Sequence, residues 1–262
     1  YSDSINLPQY SSKTMTGDLA ESTFWTAMCD SGAILASMTA EQMASFEPGM
    51  YDAACQSFGL RDIGVDVERN LTKFNPIPVV KSIDTLDVQI TMPNLAWVNL
   101  VRGALGIPGT VDEVPAGGWP VVMLQHGITS KKEDMLAITG LLSVYGFATV
   151  AIDHPLHNSR GIDLTGDNVA DFEAASNPLA YMNIANLVNA RDNLRQSMAD
   201  MMGLRLGLNF INGEVNAGVD INPTRVHFVG HSLGALTGAN FLALTNTGLN
   251  EQIDGLFKVG AS

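Results

Sequence analysis

The chain has 262 residues, 46% hydrophobic and 16% charged, with 27 acidic against 14 basic side chains and a formal net charge of -13. This apolar content excludes a disordered chain, and the length suits one large domain, or a domain with an appendage, whose core forms without staples or metal. The acidic balance disfavours nucleic acid and anionic lipid surfaces, and no apolar run approaches the roughly 18 to 20 residues of a membrane-spanning helix.

Tyr1 to Ser12 is polar, with no initiator Met and no signal-like apolar stretch, which reads as a trimmed N-terminus. Residues 1–80 show little sustained period and end in Asn75-Pro76-Ile77-Pro78, whose prolines resist helix and sheet interiors; they read as an N-terminal lead region. Cys29 and Cys55, the only cysteines, lie in this part. They are either two buried thiols or one disulfide, which would contribute roughly 3 kcal/mol on the chain-entropy model and place the protein outside the cytoplasm.

Residues 81–262 read as the main domain. Leu86, Val88, Ile90 and Met92 alternate with Asp87, Gln89 and Thr91, the period of a half-buried strand with which a sheet begins. Three apolar runs follow, Val121–Leu124, Phe147–Ile152 and Val226–Val229, and their continuity predicts strands covered on both faces. Between them, Met135, Ile138, Leu141, Leu142 and Tyr145 recur at helical spacing, as do Ile184, Leu187, Val188, Leu194, Met198 and Met201. Met198, Met201 and Met202 suit core packing better than a lipid-binding surface. A helix over Ala235–Thr245 leads to a last apolar run, Leu256 to Val259, read as a further strand. The order predicts an α/β fold with a mostly parallel sheet.

Gly230-His231-Ser232-Leu233-Gly234 joins the last of the three strands to a helix. In a G-x-S-x-G elbow the Ser sits on a strained turn, flanked by glycines because side chains there would strike neighbouring backbone. Ser232 is thus a candidate nucleophile; the bland alternative is a tight turn with an incidental Ser. Gln125-His126-Gly127-Ile128-Thr129 follows the strand at Val121–Leu124, where a His-Gly pair shapes the loop that supplies an oxyanion N–H. Ile128 and Leu233 are the candidate donors, and His126 reads as structural rather than as a base. In Asp153-His154-Pro155-Leu156-His157, the two histidines could be proposed as metal ligands, but no acidic or Cys partner accompanies them at ligand spacing, so neither metal nor cofactor is expected.

The elbow, the His-Gly loop and the Asp-His-Pro turn together resemble the α/β-hydrolase superfamily. Within it, Gly118 to Thr129 and Asn75 to Pro78 resemble the bacterial extracellular lipases of the virulence-factor type, which include surface lysophospholipases and related esterases. The resemblance implies an exported carboxylic-ester hydrolase acting on lipid esters through an acyl-serine. Asn158 stands where many of these hydrolases have Gly.

A serine hydrolase needs a base and an acid to orient it, in the chain order Ser, acid, His. Glu251 and Asp254 follow Ser232, but His126, His154, His157, His227 and His231 all precede it. The expectation is a hydrolase sheet truncated after the strand that follows the nucleophile helix, its base and acid in a C-terminal part or a second polypeptide, and this chain inactive alone. The alternative is a non-catalytic hydrolase-like module that binds a lipid or a protein. Residues 158–182 are expected to form a lid or substrate loop.

Overall fold

The computed structural model describes residues 1–12, 24–211, 218–248 and 250–260. Residues 13–23 of the expected lead region and the side chain of Glu251 lie outside the described set. The chain divides into two compact units, Pro8–Ile83 and Tyr1–Leu7 with Asp84–Ser262. The opening residues, expected in the lead region, form strand β1 (Ser2–Gln9), and the sheet starts there rather than at Leu86. Leu7 is buried in the sheet's core with Ile5 packed against it, a pair too short to register as a period in the sequence.

Among its described residues the smaller unit has three short helices, α1 (Gly32–Leu35), α2 (Ala40–Ala44) and α3 (Asp52–Ser57). A capping box between Thr39 and Gln42 starts α2. Cys29 and Cys55 form a disulfide with Cα atoms 5.7 Å apart. With so little regular structure, buried carboxylates satisfy the backbone. Asp30 accepts the N–H groups of Ile63, Gly64 and Asp66 at 2.6 to 3.0 Å and faces the Arg69 guanidinium at 2.9 Å. Asp52 accepts from Asp62 N–H (2.8 Å), Gln56 (2.6 Å) and Arg61 (2.8 Å).

In the larger unit five strands run in the order β1-β2-β4-β3-β5, with β2 (Ser82–Thr91), β3 (Trp119–Gln125), β4 (Ala148–Ala151) and β5 (Ile221–Gly230). β2 is antiparallel to β4, whereas β3 is parallel to both β4 and β5. Every residue of β3 and β4 is buried, as continuous apolar runs demand of strands covered on both faces. Period 2 sorts β3 between two cores. Trp119, Val121 and Met123 join Leu86, Val88 and Ile90 on one face, while Val122 and Leu124 pack with Met135, Ile138 and Leu142 on the other. The fold is α/β with a mostly parallel sheet.

Among the described residues of this unit, helices flank or connect the strands, and a further one follows them near the end. Those that flank or connect are α4 (Leu95–Leu105), α5 (Leu136–Val144), the four-residue α6 (Leu179–Met182), α7 (Leu187–Gly207) and α8 (Leu233–Asn246). The stripe predicted for α7 is half corrected. Met201 is buried and Met198 packs against the core, but Leu187 and Val188 are exposed, and Ile184 is exposed ahead of the helix. The inward face of the first turns is instead polar, with Asn189, Asp192, Asn193, Gln196, Ser197 and Asp200 buried. The strand expected over Leu256–Val259 is also corrected: helix α9 (Glu251–Phe257) takes its first two residues, since Ile253, Leu256 and Phe257 also fit a 3 and 4 spacing, and Lys258 and Val259 lie in no strand. Only past its end does Gly260 N–H reach the Val226 carbonyl of β5 at 2.9 Å.

Candidate functional site

β5 ends at Gly230 and α8 starts at Leu233, so Ser232 occupies the turn between them. Its backbone, at φ 52° and ψ -112°, lies outside the regions ordinary L-residues adopt, and its side chain is exposed. Close backbone contact sets this turn. A Cβ on Gly230 would strike the Gly234 carbonyl, and one on Gly234 would strike the Gln125 and His126 carbonyls. His231 N–H donates to the Gln125 carbonyl at 3.0 Å, tying the elbow to the end of β3. Ser232 Oγ has no hydrogen-bond partner among the described residues.

The loop after β3 lies against this turn: a Cβ on Gly127 would sit 3.2 Å from Ser232 Cβ and 3.0 Å from His231 Nδ1. Ile128 and Leu233 belong to one small apolar cluster with Ala174, Tyr181 and Leu194. Leu233 N–H is orphaned by its place in the first turn of α8. Neither it nor Ile128 N–H has an acceptor among the described residues. Two free N–H donors beside an exposed, strained hydroxyl can hold negative charge developing on an oxygen attached to that hydroxyl's target.

The three histidines behind the loop are consumed by structure. His126 sets Nδ1 against the Gly127 carbonyl (2.7 Å) and accepts His154 N–H at Nε2 (3.0 Å). His154 directs Nε2 at the His126 carbonyl (3.0 Å) and pairs Nδ1 with Ser197 Oγ (2.9 Å). His157 directs Nδ1 at the Pro155 carbonyl (2.9 Å) and accepts Thr129 N–H at Nε2 (3.3 Å). Each ring therefore has one protonated and one accepting nitrogen. Burial is the main reason that all three titrate below the ordinary histidine range, His157 at about 4 and His154 further depressed by its two neighbours. With both nitrogens committed, none can serve as a metal ligand, and no cluster of three or more His, Cys, Asp or Glu that could hold a metal exists among the described residues.

Asp153 anchors the same loops. Burial opposes its charge, but the ammonium and N–H of Lys132 (2.8 Å each) and the Ser159 hydroxyl (2.7 Å) outweigh that and hold the carboxyl below its usual range. Asn158, at φ 46°, takes a left-handed conformation that Asn tolerates and bonds Asp153 and Glu133 at 3.1 Å each. Within 158–182 the structure has a short turn at Asn158–Arg160, a bridge between Ile162 and Phe172, and α6. His227 lies on β5 with its ring 5.5 Å from Phe147, and His231 is exposed beside Ser232. Sequence reasoning missed Tyr181, Ser197 and Lys132, whose roles depend on partners 16 to 43 residues away.

No protein-family profile and no curated protein sequence matches the chain. Similar solved structures include a candidate dienelactone hydrolase of Klebsiella pneumoniae (12% identity, TM-score 0.35, covering 61% of this chain and 50% of that one). Others are a candidate acetyl xylan esterase of Bacteroides fragilis (16%, 0.34, 61% and 38%) and a lipase in its open form (16%, 0.32, 63% and 37%). The matched part of this chain thus spans half or less of each structure's own length. In this chain β5, the turn at Ser232 and α8 form a strand, turn and helix unit against which the loop after β3 lies.

Proposed function

We propose that the chain carries the nucleophile and oxyanion hole of a serine ester hydrolase acting on lipid carboxylic esters. The observation that supports this most is Ser232, strained and exposed, with the unpaired N–H groups of Ile128 and Leu233 at its side. In this reading Ser232 Oγ attacks the ester carbonyl carbon, the two N–H groups hold the oxyanion, and collapse expels the alcohol to leave an acyl-Ser232. Water then attacks the acyl carbon and releases the acid. The base that removes the Ser232 proton, and the acid that orients it, are supplied from outside these 262 residues, because the described histidines are either locked in the loop network or set on a strand, apart from His231 next to the nucleophile itself. The exposed apolar side chains Leu179, Met182, Ile184 and Leu187 favour an acyl chain over a small polar ester. The Cys29–Cys55 disulfide supports export, to the cell surface or beyond.

The lack of an available base also supports a second reading, a hydrolase-like module that binds without turnover. A fluorophosphonate probe applied to the full-length polypeptide separates the two. The hydrolase reading expects an adduct on Ser232 that Ser232→Ala abolishes; the binding module expects none.

A further inference from the structure

Ser130 N–H donates to the Gly127 carbonyl at 3.3 Å, closing a turn whose central residues are Ile128 and Thr129. Thr129 sits at φ 63°, the positive value that a type II turn requires at its third residue. Gly or Asn is the usual occupant, and a β-branched side chain there is strained. Flipping the Ile128–Thr129 peptide would relieve that strain, so something must hold it. The N–H of that same peptide donates to His157 Nε2. His157 is fully buried, and its other nitrogen is fixed by the Pro155 carbonyl.

We propose that His157 is a positioning residue: its neutral ring clamps Thr129 N–H, holding the strained turn in which Ile128 N–H stays free for the oxyanion. This rests on the hydrolase reading and adds a control to its site. Around the ring stand His126 (5.1 Å between centroids), Tyr181 (5.3 Å) and His154 (5.8 Å), with Asp153 favouring its protonation and Arg160 opposing it. Asp153 is already neutralised by Lys132, and Arg160 is paired with Asp200 at 2.7 Å. Burial dominates, so the ring stays neutral until about pH 4. Protonation at Nε2 would replace the acceptor with a donor facing another donor, and the turn would be released.

The test is the pH dependence of kcat and KM for hydrolysis of an acyl p-nitrophenyl ester by the full-length protein. His157→Leu should lower kcat by about 10- to 100-fold, less than outright loss of an oxyanion donor, with KM little changed. His157→Gln, whose side-chain carbonyl can accept Thr129 N–H without titrating, should recover much of that loss and remove the acid limb near pH 4. Thr129→Gly needs no clamp, so His157→Leu should cost less in that background, and this second route remains open if His157→Leu alone folds poorly. If either His157 variant keeps wild-type kcat and acid limb while Ser232→Ala is inactive, the clamp is wrong and the hydrolase reading stands. If Ser232→Ala keeps full hydrolysis, the hydrolase reading itself fails.

Discussion

The two units of this chain reach order by opposite means. Pro8–Ile83 buries few large apolar side chains and relies on the Cys29–Cys55 bond and on aspartates that collect backbone N–H groups. The α/β unit rests on β3 and β4, buried along their whole length, and keeps its polar interior for the loops behind Ser232. In the first unit polar chemistry replaces a core. In the second it shapes a site that the core already supports.

The largest expected effect falls on the smaller unit. Replacing both cysteines with Ser should cost it about 3 kcal/mol on the chain-entropy model, read as earlier loss of amide protection in residues 24–83, with probe labelling at Ser232 unchanged. Equal loss of protection in both units would erase the contrast. Next comes Gly234→Ala, which drives a methyl into the Gln125 and His126 carbonyls. About 2 kcal/mol or more of stability should be lost from the α/β unit alone, together with Ser232 labelling.

The smallest effect concerns acid. Asp52, hydrogen-bonded by Arg61, titrates at about 2 instead of 3.8, so its contribution is complete above pH 3.8 and lost as pH falls through 2. His157 is shifted the same way, from 6.5 to about 4, but its charged form is the protonated one. The unfolded chain therefore takes up that proton first, and the α/β unit loses stability as pH falls from 6.5 to 4. Hydrogen exchange across pH 7 to 2.5 should show the α/β unit weakening before the smaller one. Simultaneous weakening would contradict this.

Those same differences explain what the sequence discloses. The β3 and β4 runs are legible because burial on both faces leaves nothing polar to interrupt them, and the elbow because only glycines fit at 230 and 234. The polar face of α7 is not legible: Asn193 and Ser197 look like solvent-facing residues until Tyr181 of α6 and His154 of the loop after β4 pack on them. Nor does anything local distinguish His157 as the partner of Thr129, 28 residues earlier. The helix at Glu251–Phe257 is not legible either, because a short apolar run satisfies both periods.

The central claim is that Ser232 is a nucleophile served by the Ile128 and Leu233 N–H groups. Its most direct test is peptide mapping by mass spectrometry after the full-length protein reacts with a fluorophosphonate. The account predicts an adduct on Ser232, absent from Ser232→Ala. No adduct on Ser232, or equal labelling of Ser232→Ala, would contradict it.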